Sequence, residues 1–173
     1  MNSLKQALRT IPDFPKPGIQ FQDIAPLLQD PIHFSNTIQA LKNHHRNDSI
    51  DLIAGIESRG FIFGSALAYA LGCGTVLVRK PGKLPGPIHQ QSYDLEYGTD
   101  ALEIQTDAIQ PHQRVLLIDD VLATGGTVSA AHQLIQSHFD VQMVGATFLL
   151  EISPLNGRKR LTDLPLHSLI HLP

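Results

Sequence analysis

The sequence predicts an α/β protein built on a central, mostly parallel sheet with helices on both faces. Three observations carry this. The strand-like runs Ile50–Ile56, Thr75–Arg79, Val115–Asp119 and Val141–Leu150 are apolar almost throughout, as expected of strands with no wet face. Helix-like runs follow them, Gly60–Leu71 after the first and Thr127–His138 after the third, giving short β–α–β units. The chain is 173 residues long and 42% hydrophobic, enough for one domain with a substantial core.

Element by element, Ile11–Leu28 holds four prolines and one glycine among apolar residues, which predicts a stiff, extended arm rather than a helix. Its Phe14, Ile19, Phe21 and Ile24 are expected to be covered, either by packing on the core or by capping an apolar ligand such as a purine ring. Asp30–His45 reads as an amphipathic helix with Ile32, Phe34, Ile38 and Leu41 on its inner face. Between the second and third strands the pattern breaks. Lys80–Gln91 is basic and rich in Pro and Gly, and Ser92–Tyr97 and Ala101–Thr106 then predict a hairpin around Gly98. Ser168–Leu172 is a candidate last strand. There are no internal repeats.

Composition excludes several classes. A net charge of −3 and a pI near 6.3 argue against an extended nucleic-acid surface. The single cysteine, Cys73, rules out an internal disulfide and reads as a small residue packed at a turn. No apolar run is long enough for a membrane span, and the N-terminus lacks a signal peptide's apolar core, so a cytoplasmic protein is expected. The nine histidines are scattered, and they predict surface residues rather than a zinc site.

The chemistry concentrates in Val115–Thr127, VLLIDDVLATGGT. An apolar strand ends in Asp119 and Asp120, then turns through Ala123, Thr124, Gly125, Gly126 and Thr127 into a helix. A helix N-terminus offers unpaired N–H groups and a positive dipole end, and glycines let an anion approach the backbone. Two carboxylates would repel a phosphate but can accept bonds from hydroxyls or face a metal ion. Phosphate donors beside hydroxyl acceptors point to a phosphorylated ribose. A plain helix cap at Thr124 or Thr127, with the acids merely solvated, accounts for only part of the run. The pattern also lacks the P-loop lysine and the dinucleotide glycine spacing.

A second turn, AGIESRG, ends the Ile50–Ile56 strand on the same sheet edge, where Glu57, Ser58 and Arg59 suit a second anion. The alternative is a surface Glu57–Arg59 pair. Arg79, Lys80 and Lys83 lie at or in the Pro/Gly loop and would close over a polyanion, unless they are simply solvated. Glu96, beside Tyr97, is a general acid or base if burial raises its pKa, and otherwise a surface acid.

VLLIDDVLATGGT resembles the phosphoribosyl pyrophosphate (PRPP) motif of type I phosphoribosyltransferases. FPKPGIQFQDIAPLL, AGIESRGFIFG, VRKPGKLPG and SYDLEYGTDALEIQTDAI follow the order seen in adenine-using members, so the likeness runs from about Ile11 to Glu151. The resemblance implies a type I phosphoribosyltransferase fold over 1–173, with a small N-terminal hood mainly at 11–28 and a mobile loop at about 80–97. It implies the reaction adenine + PRPP ⇌ AMP + pyrophosphate in purine salvage, with Mg²⁺ held mainly through substrate, in a homodimer. Asp119 and Asp120 would bind the ribose hydroxyls, and Ala123, Thr124, Gly125, Gly126 and Thr127 the 5′-phosphate. Glu57, Ser58 and Arg59, at a non-proline cis peptide, would meet pyrophosphate with Arg79, Lys80 and Lys83. Arg79 would reach toward the partner's site. Glu96 and Arg59 would act in catalysis, and Phe14, Gln20, Gln22 and Tyr97 would face adenine. Gln22 departs from the family, where many members carry Arg, which puts affinity and base selectivity in question rather than the reaction class. A transferase for another purine, or a PRPP-sensing regulator, are the competing readings.

Overall fold

The computed structural model describes residues 2–94 and 98–173. In chain order it forms α1 (Asn2–Gln6), β1 (Arg9–Pro12), β2 (Gln20–Asp23), α2 (Ala25–Gln29), α3 (Pro31–His45), β3 (Leu52–Ile56), α4 (Gly60–Leu71) and β4 (Gly74–Val78). Then come β5 (Ile88–Asp94), β6 (Thr99–Gln105), β7 (Arg114–Leu122), α5 (Gly126–His138), β8 (Gln142–Ile152), two short 3₁₀ turns and β9 (Leu166–Leu172).

The central sheet has the order β4-β3-β7-β8-β9, with every neighbouring pair parallel. Its strands are hydrophobic throughout because both faces are covered. On β7, Leu116 and Ile118 join the core under α3 and α4, whereas Val115 and Leu117 join the core under α5 and the β5–β6 hairpin. The twofold alternation of a strand thus feeds two cores from one apolar run.

Local signals set the helix ends. The Asp30 carboxylate accepts from the N–H groups of Ile32 and His33 at 2.8 and 2.9 Å, with Pro31 at the first helical position of α3. Gly72 ends α4 in the left-handed conformation at φ 76°, its N–H bonded to Ala68 O at 2.9 Å. Helix α4 lies close on the sheet through its glycines. A Cβ on Gly60 would meet Ile118 O at 2.7 Å, and one on Gly64 would meet Ile118 Cγ2 at 3.0 Å. This contact brings the start of α4 against the acid-bearing end of β7.

The structure corrects several expectations. The proline-rich arm is not simply extended: β1 and β2 pair antiparallel and α2 follows, because Pro12 ends β1, Pro15 and Pro17 sit in the turn and Pro26 in the first turn of α2, where no N–H is needed. Phe14 and Ile19 stay 51% and 43% exposed, and only Ile24 is fully buried. Ile32 is 68% exposed, since the first turn of α3 projects past the core that holds Ile38 and Leu41. β5 begins at Ile88, so the Pro/Gly loop is shorter than its composition suggests, and β5 and β6 pair in register from Ile88↔Gln105 to Asp94↔Thr99. His45 is buried rather than at the surface, with Nδ1 2.7 Å from the Asp48 carboxylate.

Candidate active site

Three pieces of chain meet at the C-terminal ends of β3 and β7. In register Gly55 pairs with Ile118, so the Glu57–Arg59 turn and the Asp119–Asp120 pair leave the sheet side by side. The Glu57–Ser58 peptide is cis, as the family resemblance implied.

The phosphate-type loop takes the form its glycines allow. Gly125 caps α5 at φ 81°, and no side chain caps this helix. Neither Thr124 nor Thr127 is the cap, so the first-turn N–H groups of α5 face a small cavity of about 70 Å³ lined by Asp119 and residues 121–128. The loop is braced from behind: a Cβ on Gly125 would meet Gly157 O at 2.5 Å. Gly157 is a residue sequence reasoning missed, and nothing in the sequence near it announces the contact.

Asp119 and Asp120 sit differently. Asp119 Oδ1 accepts from the Asp120 N–H at 2.8 Å. Asp120 is 3% exposed, and its Oδ2 lies 2.7 Å from Arg59 Nε. Burial, with the Asp120 charge beside it, pushes the Asp119 carboxyl well above the ordinary carboxylate range. Burial raises Asp120 too, while Arg59 pulls it back. The cleft therefore holds two crowded acids facing one guanidinium.

The Arg59 side chain also links sheet to hood. Its guanidinium lies 5.5 Å from the centre of the Phe21 ring, and Phe21 packs edge-on against Phe14 with centroids 5.1 Å apart. Gln20 opens β2 opposite Pro12 and is exposed. The Gln22 amide oxygen accepts from Thr10 Oγ1 at 3.3 Å, across the hairpin.

Glu57 pairs with the loop cations rather than with Arg59. Its carboxylate accepts from Arg79 Nε at 3.2 Å, from the Lys80 N–H at 2.9 Å and from Lys83 Nζ. These bonds outweigh the cost of burial and lower its pKa. Ser58 is exposed. Arg79 also exchanges backbone bonds with Glu103, and the Gly82 N–H donates to the Glu103 carboxylate at 2.9 Å, so the loop is tied to β6 at its root. Glu96 and Tyr97 lie outside the described residues. Among the described residues no cluster of three or more His, Cys, Asp or Glu is arranged to hold a metal.

The sequence profile of the phosphoribosyl transferase domain matches residues 25–154. An adenine phosphoribosyltransferase of Acaryochloris marina is 53% identical over 96% of this chain and 98% of its own. The crystal structure of adenine phosphoribosyltransferase from Thermoanaerobacter pseudethanolicus superposes with a TM-score of 0.96 at 47% identity, covering 99% of both chains. That of the Saccharomyces cerevisiae enzyme, complexed with an imino-altritol bisphosphate and adenine, gives 0.91 at 41% identity over 97% of both chains. The chain belongs to the phosphoribosyl transferase family, among its adenine phosphoribosyltransferases.

Proposed function

We infer that this chain transfers the phosphoribosyl group of PRPP to N9 of adenine, giving AMP and pyrophosphate in purine salvage. The observation that carries the reading is the uncapped start of α5 beside Asp119 and Asp120, with Arg59 joining those acids to the aromatic hairpin. Residues 1–173 are read as one domain, with residues 11–28 as the hood and about 80–97 as the loop that closes.

The 5′-phosphate is assigned to Ala123, Thr124, Gly125, Gly126 and Thr127, whose backbone donors stay fixed during the reaction. Asp119 and Asp120 accept from the ribose 2′ and 3′ hydroxyls and set negative charge near C1, where positive charge develops as the C1–O bond breaks. Arg59 and the Glu57–Ser58 backbone meet the pyrophosphate together with Arg79, Lys80 and Lys83, and closure of the loop excludes water. Because Glu57 is a carboxylate, its assigned part is to hold those cations, not to touch the anion. Phe14, Gln20, Gln22 and Tyr97 are assigned to the adenine face, with N9 attacking C1 from the side opposite pyrophosphate. Glu96 takes the proton that N9 loses, a step typically worth about 10²–10⁴-fold.

Asp119 and Asp120 offer carboxylate oxygens, the hard donors that Mg²⁺ takes, and the ion is assigned chiefly to substrate oxygens beside them. When bound, that ion neutralises the departing diphosphate. A homodimer, in which Arg79 approaches the neighbouring site, and a cytoplasmic location complete the proposal. Among the described residues no helix is long and apolar enough to cross a membrane.

The test is incubation with Mg²⁺, PRPP and a mixture of purine bases, followed by identification of the nucleotide. AMP is the expected product. Preferential formation of another purine nucleotide overturns the base assignment, and PRPP binding with no nucleotide formed favours a sensor.

A further inference from the structure

Tyr93 has no part in the reading above, yet it stands where the two anion sites meet. It lies on β5 directly across from Asp100 on β6, so both side chains leave the hairpin on one face. The Tyr93 hydroxyl accepts from Lys80 Nζ at 2.8 Å and donates to Asp100 Oδ2 at 3.2 Å. Lys80 Nζ also pairs with Asp100 Oδ2. The same hydroxyl oxygen is 3.5 Å from Thr127 Oγ1, in the first turn of α5. With its one proton given to Asp100, Tyr93 can only accept from Thr127.

We propose that Tyr93 and Asp100 are positioning residues that fix the Lys80 ammonium beside the 5′-phosphate cradle, so that one cation serves both anionic ends of PRPP. The proposal rests on reading the cleft as a PRPP site. A lysine on a solvated loop must give up rotamer freedom to meet a ligand, whereas one already held between a phenol and a carboxylate gives up little. Burial disfavours the Lys80 charge, but the bonds to Asp100 and Tyr93 outweigh it and raise its pKa. The ammonium thus waits charged and oriented at the base of the loop, 32% exposed. The remaining two cations of the loop region, Arg79 and Lys83, are held by Glu57 instead.

Two conservative variants test this by steady-state kinetics and by calorimetric titration with PRPP. Tyr93→Phe keeps the ring and removes the hydroxyl, and weakens PRPP by about three- to tenfold with the adenine KM unchanged. Asp100→Asn is the sharper case. It removes a negative charge facing a polyanion, so electrostatics alone would tighten PRPP, whereas loss of positioning loosens it. In a Lys80→Met background Tyr93→Phe has no further effect on PRPP affinity, and Asp100→Asn no longer loosens it but tightens it by removing the facing charge. Unchanged or tighter PRPP binding in Asp100→Asn with Lys80 present, or the same loss from Tyr93→Phe with and without the Lys80 ammonium, overturns the proposal. Since calorimetry needs no turnover, a wild-type chain that binds PRPP but forms no AMP overturns the transferase reading alone.

Discussion

Asp119 and Asp120 are neighbours in sequence with unlike surroundings, and that difference has a measurable cost. Folding raises the Asp119 pKa, so the folded chain binds this proton more tightly than the unfolded chain does. The sign follows: stability from this group is present at acid pH and is lost as pH rises through the raised pKa. Asp119→Asn cannot bind or lose that proton, so its apo melting temperature should fall less than the wild type's as pH rises toward the alkaline side. It should also lower kcat/KM by about 10²-fold or more. A variant whose melting temperature falls as steeply as the wild type's would contradict this account of the site. At this scale the sequence was legible where neighbours in the chain act together, as in the acid pair and its glycine turn. It misled where they do not. Glu57, Ser58 and Arg59 read as one anion-binding turn, with nothing to show that Glu57 bonds Arg79 and Lys83 while Arg59 bonds Asp120. Partners distant along the chain leave no trace in spacing.

Among the elements, the joint between α3 and β9 is the place where pH should act. His44 and His167 stack with ring centroids 3.5 Å apart, and His45 meets His44 edge-on at 4.6 Å. The Nε2 atoms of His45 and His167 are buried without a hydrogen-bond partner among the described residues. Burial pushes His167 down to about 4, with His44, His45, Arg158 and His171 adding to it, and burial lowers His45 despite Asp48. Glu151, which holds Arg158 and lies 3.4 Å from His171, is the nearby acid on β8. Between pH about 6.5 and about 4 the unfolded chain takes up protons that the folded joint refuses, so stability falls as pH is lowered. Melting temperatures from pH 7.5 to 5 should drop more steeply for the wild type than for His167→Asn, and equal slopes would count against this. The elements were mostly readable beforehand because strands buried on both faces and glycine-ended helices carry their own marks. The β1–β2 hairpin was hidden by its prolines, and α1 is short enough to have no periodic signal.

On the scale of the whole molecule, substrate should act as a structural tie. Gly60 seats α4 against the end of β7, Gly157 braces the phosphate-type loop, and Arg59 reaches from that joint to Phe21. A ligand bridging these parts and held only by the folded chain stabilises it by about 2.7 kcal/mol at a hundredfold excess over Kd. A rise of roughly 5–10 °C in melting temperature with saturating PRPP is expected, and a much smaller one in Asp119→Asn. The β1–β2 hairpin joins this arrangement through Phe21. Among the described residues its strands pair with each other, outside the central sheet, and it is anchored at its flanks by the buried Leu4, Ala7, Ile24 and Leu27 while Phe14 and Ile19 remain exposed. The segment assigned to the base is therefore nearly free of duties to the core. Under the proposed role of the hood, exchanges at the exposed Phe14, Ile19 and Gln20 should change which base is accepted at little expense in stability, while the sugar-phosphate machinery beneath stays as it is.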